Sequence, residues 1–76
     1  MMDHETRARV LKQIVDEAVL RMMAGDVTLP EAELIVQRVR NQARLLLPDK
    51  MQTFDLIYQS RLQRVIDQFI RPKHLD

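Results

Sequence analysis

Gly25-Asp26-Val27-Thr28-Leu29-Pro30-Glu31 is the stretch on which the fold turns. Gly25 is the only glycine in 76 residues. Glycine takes the left-handed backbone that closes a helix without steric penalty, so it marks the end of a helix that precedes it. Thr28, followed three residues later by Glu31, reads as a capping box that starts the next one. Pro30 is tolerated there, because the N–H groups of a first turn have no intrahelical partner to lose. One helix therefore stops at Gly25 and another begins after Thr28. So short a connection implies antiparallel neighbours.

Upstream of Gly25, Val10, Leu11, Ile14, Val15, Ala18, Val19 and Met22 recur at helical spacing and cover about half of a helix circumference. Asp3 can cap the start, and Asp3–Arg7, Glu5–Arg9 and Glu17–Arg21 are i,i+4 pairs in the favourable order. Downstream, the stripe is Ala32, Ile35, Val36, Val39, Ala43, Leu46 and Leu47, and Pro48 disfavours helical geometry at Leu47. A third helix is expected from Asp49, as cap with Gln52 as its partner, to about Ile70. Its stripe is Met51, Phe54, Tyr58, Leu62, Val65, Ile66 and Phe69. Pro72 is expected to end it, leaving 71–76 as a frayed tail.

The expected fold is all-α, a three-helix antiparallel bundle with helices over about 3–24, 29–47 and 49–70. At 1.5 Å rise per residue the three are each about 27–33 Å long and can lie side by side. Residues 1–76 form a single domain. Amphipathic patterns do not choose the handedness of such a bundle.

Composition narrows the function. A chain of this length hides only about 60% of its unfolded surface, so association is a common way to add buried area, and dimerisation would complete the bundle. With no cysteine, neither a disulfide nor a thiolate metal site can supply stability instead. The start, MMDHETRARV, has no apolar run of the kind a secretory signal needs, and the longest apolar runs are far too short to span a membrane. The expected location is cytoplasmic. A lone glycine excludes the glycine-rich phosphate loops of the usual nucleotide-binding motifs.

Catalysis needs a titratable pair or a nucleophile held rigidly. His4 and His74 lie at opposite ends of the chain, and Ser60, the only serine, has no histidine near it in sequence. No carboxylate spacing favours a shared acid–base site, and no Glu-x-x-His pair suggests a metal in the bundle. The chain is therefore expected not to be an enzyme and to carry no cofactor, metal or small-molecule substrate.

Two surfaces stand out once the core stripes are assigned. Leu34 and Leu45 lie on one line of the second helix, nearly opposite its core stripe; Leu20 and Met23 on the first helix and Leu56 on the third are likewise left over. Scattered surface leucines are ordinary, but in so small a chain their faces suggest a patch for a partner helix. The second feature is charge. Residues 1–33 hold four Lys/Arg against seven Asp/Glu, whereas residues 34–73 hold eight against three, and nine of the twelve cations are arginine. Arg40 and Arg44 on the second helix and Arg61, Arg64 and Arg71 on the third form polar lines that could contact phosphates. A solvated face explains the same arginines, and no aromatic side chain interleaves with them for base stacking. The sequence thus points first to a protein-interaction module, a homodimer, adaptor or small subunit, whose foremost partner is a second copy. A small nucleic-acid-binding regulator using the five arginines is the alternative.

Overall fold

The computed structural model describes the backbone of residues 3–74 and the side chains of residues 3–72. Within them the chain forms three helices and no strand. Helix α1 spans His4–Met23 and α2 spans Leu29–Leu46. The third, α3, is one continuous helical run over residues 48–74. Sequential neighbours run antiparallel, and the molecule is elongated, 47 × 20 × 15 Å.

The punctuation acts as read. The Asp3 carboxylate accepts from the Thr6 amide at 2.7 Å and caps α1. Gly25 follows the C-cap Ala24 with φ of 117°, a conformation a β-carbon would oppose. At α2 the Thr28 hydroxyl accepts from the Glu31 amide at 3.3 Å and donates to the Glu31 carboxylate at 2.9 Å. A cap of this kind contributes about 1 kcal/mol. Leu47, pressed by the ring of Pro48, leaves helical geometry at φ −139° and ψ 67° and ends α2.

Helix α3 departs from the sequence reading at both ends and in its winding. Asp49 is not its cap. It lies inside a 3₁₀ turn, Pro48–Lys50, which has no side-chain cap, because the proline starts the new helical run immediately after Leu47. At the other end Pro72 does not stop the chain from turning: Arg71–His74 forms a 3₁₀ turn. Of the tail expected to fray, Leu75 and Asp76 lie outside the described residues.

Between these turns, Met51–Phe54 and Ser60–Val65 are α-helical, whereas Asp55–Gln59 and Ile66–Ile70 are wound as π-helix, with i→i+5 bonding. The apolar residues explain why. Phe54, Tyr58, Leu62, Ile66 and Ile70 recur every four residues. In a regular α-helix each step of four drifts by about 40°, so the row would swing off the core within a few turns. Wider turns take up the extra residue and hold the row on one side. The consequence corrects the expected stripe: Ile70 is fully buried and Phe69 is 38% exposed.

The core is one cluster drawn from all three helices. Leu11, Val15 and Met22 of α1 meet Ala32, Val39 and Ala43 of α2 and Phe54, Leu62 and Ile66 of α3. Phe54 and Tyr58 pack ring against ring at 5.9 Å. No polar or charged side chain is fully buried among the described residues.

Candidate protein-interaction surface

All five leftover apolar residues, Leu20, Met23, Leu34, Leu45 and Leu56, are exposed, Leu45 most of all at 85%. They do not share one depression. Leu45 borders an open groove between α1 and α2, together with Val10, Ile14 and Leu46. Leu56, 78% exposed, borders a separate hollow on α3 with Gln52 and Asp55. The slow winding of α3 also leaves Ile57 and Phe69 exposed.

The apolar groove continues along the same α1/α2 face into a second depression, the two joined at Ile14 and Gln42. The floor of this second part includes Ala18, Ile35 and Val39. Its rims carry Glu17 and Arg21 from α1 and Arg38 from α2. Periodicity explains the arrangement. Val10, Ile14, Glu17 and Arg21 are spaced by three and four residues on α1, and Arg38, Gln42 and Leu45 likewise on α2. Each helix therefore presents two adjoining stripes, one to the core and α3 and one to this open face.

The charged side chains divide in the same way. Arg40 of α2 binds Asp55 of α3 through both terminal guanidinium nitrogens, Nη1 to Oδ1 and Nη2 to Oδ2, the latter at 3.3 Å. Arg61 of α3 binds Asp16 of α1 at 3.1 Å. Arg71 binds Asp67 one turn back at 2.7 Å. Three of the five arginines considered for nucleic acid are therefore engaged with carboxylates of the chain itself, leaving Arg44 and Arg64 without an ion pair among the described residues. Sequence reading missed both inter-helix pairs, because their partners lie 15 and 45 residues apart. On the open face, by contrast, Glu17, Arg21 and Arg38 make no ion pair among the described residues.

No group of three or more histidine, aspartate or glutamate side chains that could hold a metal occurs among the described residues. A partly enclosed cavity lies at one end of the bundle among Leu11, Ala43, Leu47, Met51 and Phe54, with a volume of about 50 Å³. It offers no convergent polar groups to orient a ligand. No helix among the described residues is long and apolar enough to cross a membrane.

The chain matches no protein-family model, no curated protein and no solved structure.

Proposed function

We propose that this chain is a non-catalytic helical interaction module that acts by burying the α1/α2 face against another protein. The observation that carries the reading is the groove bordered by Val10, Ile14, Leu45 and Leu46, which is apolar and open on the side away from α3. Leu34 lies on the same outer line of α2 as Leu45 and is also exposed. Covering such a strip removes apolar area from water, at about 25 cal/mol per Å², and adds to a core that a chain of this size cannot enlarge by itself.

The nucleic-acid reading has less support. Arg40, Arg61 and Arg71 would each have to give up a carboxylate partner before reaching a phosphate.

The test replaces Leu34 and Leu45 together by glutamate and measures mass by light scattering after size exclusion. Both side chains are exposed, so the helical circular dichroism is expected to persist while association is lost. An assembly state unchanged by the double substitution refutes the reading.

A further inference from the structure

The α1/α2 face carries more than an apolar strip, and its pattern selects an occupant. Along α1 it presents Val10, Ile14, Glu17 and Arg21 in order; along the antiparallel α2 it presents Leu45, Gln42 and Arg38 at matching levels. One end of the face is apolar on both helices. The other carries an acid and a base on α1 and a base on α2, and none of the three has an ion-pair partner among the described residues. Two inter-helix ion pairs, Arg40–Asp55 and Arg61–Asp16, both run to α3.

We infer that the partner is a second copy of this chain, related by a two-fold axis that lies over the groove and runs parallel to the helices. The inference rests on the interaction reading above and names its partner. Such a rotation keeps every residue at its own level and exchanges α1 for α2. Each α1 then lies on α2 of the other copy, antiparallel, and the four helices form a two-layer bundle in which adjacent helices are antiparallel, as in up-down bundles. Val10 and Ile14 of one copy meet Leu45 and Leu46 of the other. Glu17 meets Arg38 of the second copy, and the same pair recurs across the axis. This is the self-complementarity an isologous interface requires.

Other two-fold placements fit worse. An axis perpendicular to the helices would set α1 against α1, laying the apolar Val10 end on the charged Arg21 end and leaving Glu17 opposite Ile14. Area also suffices. Helix α1 has 20 residues, or about 30 Å, and two helices about 10 Å apart present a face about 20 Å wide. The footprint is then about 600 Å² per copy and about 1,200 Å² in total, the lower bound of stable interfaces.

The experiment uses the full chain and charge reversal. Glu17→Arg and Arg38→Glu are made singly and together, and the dimer dissociation constant is measured by light scattering or sedimentation, with circular dichroism as the check on folding. The native chain is expected at twice the monomer mass. Each single reversal sets like charges together twice per dimer and is expected to weaken association by about tenfold or more, and the double reversal to restore it to within about threefold. A native chain that is monomeric overturns the inference. So does a dimer indifferent to the single reversals, or single reversals that the double one does not rescue. In those last two cases the Leu34→Glu/Leu45→Glu result still decides the interaction reading separately.

Discussion

Ile70→Ala and Phe69→Ala together test the winding of α3, because a regular helix and the observed one assign these neighbours opposite roles. Ile70 is fully buried in the core, whereas Phe69 is 38% exposed and belongs to no part of the core cluster. Shortening isoleucine to alanine removes three carbons, or about 2.4 kcal/mol of transfer free energy at 0.8 kcal/mol each. The cavity left behind raises this to about 3–4 kcal/mol. A domain of this length has about 4–11 kcal/mol of stability in all, so Ile70→Ala is expected to bring it close to unfolding. Ile70→Val, which removes one methyl group, provides a milder step of about 1 kcal/mol. With a urea slope of about 1 kcal/mol per molar, the denaturation midpoint falls by about 1 M for Val and about 3 M for Ala. Phe69→Ala is expected to lose less than about 1.5 kcal/mol, since its ring is only partly covered. Urea titrations followed by circular dichroism decide the order. A larger loss for Phe69→Ala than for Ile70→Ala would refute the wide turns at Asp55–Gln59 and Ile66–Ile70 and restore an even α-helical phase.

Two further expectations concern polar groups. A double-mutant cycle on Arg40→Ala and Asp55→Ala should give a coupling of about 0.5–1 kcal/mol, at the upper end for a surface pair because the contact is two-pronged but limited because both side chains are partly solvated; a coupling near zero would remove this pair as a tie between α2 and α3. Hydrogen bonds from the Thr6 side chain and then its amide hold the Asp3 carboxyl below its ordinary value of 3.8, and the sign follows: the cap's pH-dependent contribution is fully present above the unfolded value and disappears as pH falls through the lower folded one. A carboxyl titration by NMR should place Asp3 below 3.8, and Asp3→Asn, which can still cap, should abolish that part of the acid dependence; an Asp3 midpoint at or above 3.8 would contradict the cap geometry.

The extent to which these features can be read from sequence follows from their range. Caps, stops and the glycine turn are set by residues within four positions of one another, so Asp3, Thr28, Gly25 and Pro48 announce α1 and α2 to within a residue or two. The start of α3 is local as well, but two signals compete there, and the proline at position 48 outruns the aspartate at position 49 as the first residue of the new helix. The winding of α3 is not local. Residue spacing shows a row at every fourth position, but counting at 100° per residue assumes the very α geometry that this row deforms. That count puts Phe69 in the core at the expense of Ile70. The rule that large apolar residues go inside could not arbitrate, since both residues satisfy it.

The surface reading has the same origin. Sequence places Leu34 and Leu45 outside the core stripe of α2, because that depends on one helix alone. It cannot say which rim of α2 meets α3, and so it sets Arg40 beside Arg44 on one polar line, although the first is paired across the bundle. Once the third helix is in place, the charges separate into those that hold it and those left on the far side of the α1/α2 hairpin. An ion pair to α3 constrains the monomer. Opposite charges left unpaired around an apolar strip do not, and a solvated acid and base gain little while water screens them. They gain most when a covering helix desolvates the strip and brings the opposite sign to each. The proposed two-fold partner would do both with one rotation, which is why the charge reversals, rather than the leucines, discriminate a second copy from any other apolar helix.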